Sequence, residues 1–166
     1  MSARTVVAWI IEGTWEATVD AAACAATPDR GETEVLLLAV VDAAVSEAVH
    51  GAFGGLFGRR GHDPGDAVAA QGVEGTHELL VQAEQRLDLP ARREVRVGRV
   101  EREVVAACEH ADLLVCSRDG DRSRLGPHSL GRHLRFVVDH APCPVLLVWP
   151  DTSPDLDSIP PPPRHR

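Results

Sequence analysis

The chain contains no lysine: all 17 of its basic residues are arginine. That absence excludes any chemistry needing a primary amine, including a Schiff base and the lysine of a Walker A phosphate loop. Positive charge is scarce overall, with 25 acids against 17 bases and a formal net charge of -8. Such a balance argues against a general nucleic-acid or anionic-membrane surface. No apolar run approaches the roughly 18 residues of a membrane-spanning helix. The opening MSARTVVAWIIEG turns acidic where a signal peptide needs a longer apolar stretch and small residues before a cleavage site. A cytoplasmic location is the expectation. Four scattered cysteines (Cys24, Cys108, Cys116, Cys143) make no disulfide framework and read as reduced thiols. Neither a CxxC pairing nor an HExxH spacing accompanies them, so no metal site is expected. The G-x-S-x-G elbow of a serine nucleophile is missing too, and no catalytic residue is assigned.

Five short apolar runs alternate with helical patterns. TVVAWII (5–11), EVLLLAVV (34–41), DLLVC (112–116) and PVLLVW (144–149) are continuous, as strands covered on both faces would be. RREVRVG (92–98) alternates instead, with Val95 and Val97 opposed to Glu94 and Arg96, which suits a sheet edge. Between the runs, GTWEATVDAAACAAT predicts a helix capped by Thr14 and stopped before Pro28. Val73, His77, Leu80, Glu84 and Leu87 stripe a helix over about 67–88, with His77 read as a packed or boundary residue. Val100, Val104, Cys108 and Ala111 mark another helix, and Leu130, Leu134, Val137 and Ala141 the last; Cys24 and Cys108 are read as small core residues. A glycine-rich loop occupies about 42–66, including GGLFGRRG (54–61). Residues 1–150 are read as one α/β domain, and the Pro-rich 151–166 as a disordered tail.

The βαβαβαβαβ pattern with right-handed crossovers predicts a parallel sheet with helices on both faces. An order of 3-2-1-4-5 places 92–98 at one edge and leaves a switch point between the first and fourth strands. Ligands of open α/β sheets bind at such a point, beyond the carboxyl ends of the strands. The loops IIEGT (10–14) and CSRDG (116–120) therefore converge where a ligand is expected. In the second, Gly126 and Gly131 would let backbone N–H groups approach an anion near a helix start. Arg118, Arg122, Arg124, Arg132 and Arg135 crowd the same stretch, and arginine clamps phosphate bidentately; Arg118 and Arg124 are candidate anion contacts. Asp119 and Asp121 would repel phosphate unless a metal intervened. Two readings stay open, an arginine-lined anion site or a solvated loop of internal ion pairs.

VGRVEREVVAACEHADLLVCSRDG, LGRHLRFVVDHAPCPVLLVW and IIEGTWEA together resemble the universal stress protein family over roughly residues 4–150, HAPCPVLLV being the strongest piece. That resemblance implies a Rossmann-like fold of the adenine nucleotide alpha hydrolase type and a role in stress response through binding rather than turnover. ATP-binding members carry glycine, two residues, glycine, nine residues, glycine, then serine or threonine. Here Cys116 stands at the first glycine and Asp119 at the second, with Gly120 one place late. Gly131 fits the third after two extra residues, and Arg132 replaces the hydroxyl. Glu12 replaces the aspartate ending the first strand, and Val41 sits where members bond adenine through backbone. The implied nucleotide site is thus Glu12, Val41, Cys116, Ser117, Gly120, Gly131 and Arg132, with the Cys116 side chain expected to narrow the approach. ATP or AMP with magnesium would be the ligand, bound at about 100 μM or weaker, at most about 5.5 kcal/mol. An ATP-binding, slowly hydrolysing member is the alternative. An ATP-cleaving synthetase or transferase would need an SGGxDS-like loop or lysine signatures, which are absent. The last strand offers an unguarded apolar edge, Val145, Leu146, Leu147, Val148 and Trp149, and predicts a homodimer through it.

Overall fold

The computed structural model describes residues 3–27, 31–45, 47 and 64–162, with 64–71 described as backbone only. Its strands are β1 (Arg4–Trp9), β2 (Thr33–Asp42), β3 (Ala91–Gly98), β4 (Leu113–Ser117) and β5 (Val145–Val148). The helices between them are α1 (Trp15–Ala25), α2 (Pro64–Leu87), α3 (Val100–Ala107) and α4 (Arg132–His140). All strand pairs are parallel, in the order β3-β2-β1-β4-β5. The sheet is the one predicted, with β3 at one edge and β5 at the other.

Strand alternation sorts the apolar residues into two cores. Val6, Ala8, Val35, Leu37 and Val115 face α1 and α2, where they meet Val19, Ala22, Leu80, Ala83 and Leu87. Val7, Trp9, Leu36, Leu38 and Leu114 face α3 and α4, packing on Val104, Cys108, Leu134 and Val137. Having a helical layer on each side is what requires the central strands to be apolar at every position. On β3 the alternating charges are not simply solvated. Arg96 Nε donates to Glu94 Oε1 at 2.5 Å and lies 3.7 Å from Glu103 of α3.

Three helical expectations need correction. His77 is exposed, because the inward stripe of α2 is Leu80, Ala83 and Leu87. Cys24 is likewise exposed on the outer side of α1. Thr14 stands at the N-cap of α1, but its hydroxyl donates back to the Ile11 carbonyl at 3.4 Å and caps no N–H of the helix. Most of the expected 42–66 loop, including GGLFGRRG, lies outside the described residues. The sequence assigned 151–166 no structure, but residues 151–162 include one turn of 3-10 helix at Leu156–Ser158 and two tethers. Ser158 Oγ accepts from Leu125 N–H at 3.0 Å, and Arg122 reaches Asp151 at 2.8 Å.

Candidate functional site

The carboxyl ends of β1 and β4 lie side by side, and the two loops leaving them are tied together. Beyond β1, Ile10 N–H still pairs with Leu38 O at 2.8 Å. The chain then turns at Gly13, whose φ of 84° favours glycine, and enters α1. Ser117, the last residue of β4, points to this turn. Its hydroxyl donates to Thr14 O at 3.2 Å, which leaves Thr18 Oγ1 as the donor in the 2.7 Å contact between the two hydroxyls. Ser117 is 1% exposed and Thr18 fully buried. Ser117 thus fastens β4 to α1 and has no hydroxyl proton to spare for a ligand.

Cys116 corrects an expectation. As the neighbour of Ser117 on a strand it points the opposite way, into the core shared with α3 and α4, and it is fully buried. Its side chain does not narrow the cleft. Burial, with a smaller contribution from Asp119, pushes its thiol up to about 12. Burial also takes Cys108 to about 12, with Cys143 adding to the effect. These thiols are core residues without the thiolate character a nucleophile needs.

The β4–α4 loop consumes its own donors. Gly120 N–H bonds Ser129 O at 2.9 Å, Asp121 N–H bonds His128 O at 2.8 Å, and Gly131 N–H bonds Asp119 Oδ1 at 2.7 Å. A Cβ at Gly120 would lie 2.4 Å from His128 O, so that close backbone crossing requires glycine. A Cβ at Gly131 would lie 2.9 Å from both Asp119 carboxylate oxygens. The start of α4 therefore already holds an anion, one supplied by the chain itself.

The arginines are similarly engaged. Arg118 lies over the Trp149 ring at 4.7 Å and donates to Ser129 Oγ; its buried Nε has no hydrogen-bond partner among the described residues. Arg124 pairs with Asp121 at 3.3 Å, and Arg135 donates to Pro127 O at 3.0 Å. Bonds from Ser123, then Arg124, hold the Asp121 carboxyl below its usual range. Within this loop the ion pair among the described residues is Arg124–Asp121, while Arg118 and Arg135 are held by neutral acceptors.

In front of the strand ends is an open cleft of about 680 Å³. Its floor is Ile10, Ile11, Ala39 and Val40, Trp15 flanks it, and α2 forms a wall through Thr76 and Leu79. Three carboxylates reach it, Glu12, Glu78 and Asp119, while His133 is the one basic side chain among the described lining residues. Val41 stands one residue beyond the lining, in register with Val97. Beside the cleft is a second cavity of about 240 Å³, bordered by Asp42, Arg99, Glu101, Arg132 and His133. His133 borders both. Its Nδ1 is 2.7 Å from Glu101 Oε2, and its Nε2 accepts from Arg132 Nε at 3.2 Å. Glu101 is held below the usual carboxylate range, chiefly by its own backbone N–H and then by His133.

Of the residues predicted for a nucleotide, Glu12 lines the cleft, Gly131 meets it through Asp119, and Arg132 borders the second cavity. Cys116, Ser117 and Gly120 serve the core and the loop, and Arg118 and Arg124 line neither space. The Glu101–His133 pair went unseen because its partners are 32 positions apart. Glu78 also went unseen: it projects from a helix whose charged positions all look alike in sequence. Among the described residues no group of three or more metal-ligating side chains is assembled, and no helix is long and apolar enough to cross a membrane.

Comparison with known proteins agrees with the fold. The model of the universal stress protein family matches residues 13–148. No curated protein matches the chain by sequence. Solved structures share its fold. Hypothetical protein MJ0577 is 18% identical at a TM-score of 0.69, covering 92% of this chain and 100% of its own. Universal stress protein UspA from Lactobacillus plantarum is 20% identical at 0.56, with coverages of 89% and 98%. A universal stress protein solved in complex with cAMP is 17% identical at 0.63, with coverages of 91% and 100%.

Proposed function

The chain belongs to the universal stress protein family, and from that premise we propose that it acts in a cytoplasmic stress response by binding rather than turnover, with its nucleotide site weakened. The observation that carries this reading is the Asp119 carboxylate on Gly131 N–H at 2.7 Å. A phosphate seeking the start of α4 must displace a side chain already bonded there. Glu12 and Glu78 add repulsion across the cleft. Repulsion grows with ligand charge, so a singly charged nucleotide should be better tolerated than a bare triphosphate, and magnesium should help the latter. The relative solved with cAMP supports a monoanionic nucleotide as the ligand to try first. Calorimetry is the test. We expect cAMP to bind at about 100 μM or weaker, ATP without magnesium more weakly still, and Asp119→Gly to tighten both by about tenfold, or 1.4 kcal/mol. Wild-type binding of ATP near 1 μM would overturn the reading.

We also propose a homodimer through β5. Among the described residues that strand pairs only with β4, so its other edge presents unpaired backbone groups. Val145 and Leu147 pack inward towards α3 and α4, whereas Leu146 is 38% exposed. Leu146→Arg is therefore the informative substitution, since Leu147→Arg would damage the core. Light scattering should give a dimer mass at micromolar concentration and a monomer for Leu146→Arg. A wild-type monomer would refute the assembly.

A further inference from the structure

The two spaces that meet at His133 differ in charge. Three carboxylates reach the larger cleft and no arginine does, among the described residues. In the smaller cavity, Asp42 and Glu101 are matched by Arg99 and Arg132. The carboxylates there are partly committed. Asp42 Oδ1 accepts from Ala44 N–H at 2.9 Å, and Glu101 is shared by Arg99 at 3.7 Å and His133 at 2.7 Å. With His133 neutral, the described residues that border the smaller cavity are formally balanced.

Hydrogen-bond chemistry fixes the state of the ring. An ionised carboxylate only accepts, so Nδ1 carries the proton given to Glu101, and Nε2 offers its lone pair to Arg132 Nε–H. Protonation at Nε2 removes that acceptor and places two like charges side by side. Glu101 keeps the ring in place, being 16% exposed and on the opposite nitrogen. The change falls on Arg132, which is exposed and free to turn. Among the described lining residues, the cavity then holds one net positive charge and two unbound donors, Nε2–H and the guanidinium. At about 240 Å³ it has room for an oxyanion with water.

We propose that the smaller cavity is a proton-gated site for a tetrahedral oxyanion of the sulfate or phosphate class, formed when His133 is protonated and Arg132 is released from it. Histidine is the side chain suited to a switch of this kind in mild acid. The other charges facing His133 from the cleft are, among the described residues, all carboxylates: Asp119, Glu12 and Glu78 lie on that side, where they keep the anion out of the cleft. Arg99, which is 75% side-chain exposed and paired to Glu101, can swing to a second anion oxygen. Arg132 is common to this site and to the proposed nucleotide site, so sulfate and cAMP have to be compared separately.

The experiment uses the full chain and sulfate, which does not titrate in this range. Binding followed by NMR at pH 5.5 and 7.5 should be about tenfold tighter at the lower pH, and by reciprocity sulfate should raise the proton affinity of His133 by the same factor. Arg132→Ala should cost most of the binding at pH 5.5, and His133→Asn should leave binding weak and insensitive to pH. Arg124→Ala, on the far loop, should change nothing. A parallel arm with cAMP, whose phosphodiester also stays ionised, separates the sources. The same pH and Arg132 dependence for cAMP makes the anion part of a nucleotide, and dependence confined to sulfate makes it a free oxyanion. Sulfate affinity independent of pH, indifference to Arg132→Ala, or His133 ring signals unmoved by sulfate would each overturn the proposal.

Discussion

β4 and the loop that follows it are held by different means. In β4, Leu114, Val115 and Cys116 are completely buried, and nearly any apolar side chain of the right volume would satisfy the site. From Arg118 to Gly131, Leu130 packs on the core, and the rest of the path is held by polar contacts. Gly120 and Asp121 donate backbone N–H groups to Ser129 and His128, Asp119 holds Gly131, and Arg124 holds Asp121. The strand is specified by pattern, the loop by particular partners. A family's ligand site placed on such a loop can be lost through one polar substitution while the fold is untouched.

The largest effect expected from breaking this contrast lies in the strand. Leu114→Ala removes a fully buried side chain between β1 and β5. Cavity formation should cost about 2–5 kcal/mol, read from urea unfolding. A loss below 1 kcal/mol would mean that the β4 core can collapse around the gap.

Glycine offers a sharper comparison, because one substitution should act with opposite signs in two places. At Gly120 an added Cβ meets His128 O at 2.4 Å and Ser129 C at 2.8 Å, both backbone atoms. Gly120→Ala must therefore spread the loop and should cost about 1–3 kcal/mol, as overpacking does. Gly75 sits inside α2 with nothing within 4 Å of such a Cβ. Gly75→Ala should stabilise by about 0.5–1 kcal/mol through backbone entropy. Urea melts of both variants decide the point, and equal signs would contradict the close crossing at Gly120.

The same division explains what was legible in the sequence. The order β3-β2-β1-β4-β5 could be read because only RREVRVG alternates in polarity, and alternation is a local signal of an edge. Cys116 was misplaced because it was judged by its position in a glycine motif. Counting along DLLVCS would have put it on the side of Leu114 and Ser117 on the side of Val115. His77 was misplaced for a related reason: a stripe of 3–4 spacing in a long helix admits a neighbouring register, and Ala83 was the better marker. The Asp119–Gly131 and Glu101–His133 contacts carry no periodicity at all. They arise when the sheet brings distant loops together, and a charged residue in a loop looks the same whether it is solvated or bonded.

Acid tests the loop's reliance on particular partners with the smallest effect. Asp121 is held below its usual range by Ser123 and Arg124, Asp20 by Arg86, and Glu101 by its own backbone N–H and His133. A carboxylate whose folded value is depressed adds stability above its unfolded value, near 4, and that stability is lost as pH falls through the folded value. Melting temperature should therefore fall as pH is lowered from about 5 towards 3. Surface groups of this kind contribute little each, so Asp121→Asn should remove only a small part of the slope. Its Oδ1 can still accept from Ser123, which leaves the loop's path intact, while the pairing with Arg124 is lost. The expected outcome is an unchanged fold, slightly lower stability at pH 7, and a shallower acid decline than wild type. An acid profile identical to wild type would show that Asp121 is solvated in practice, and that the loop depends on its backbone bonds at Gly120 and Gly131 instead.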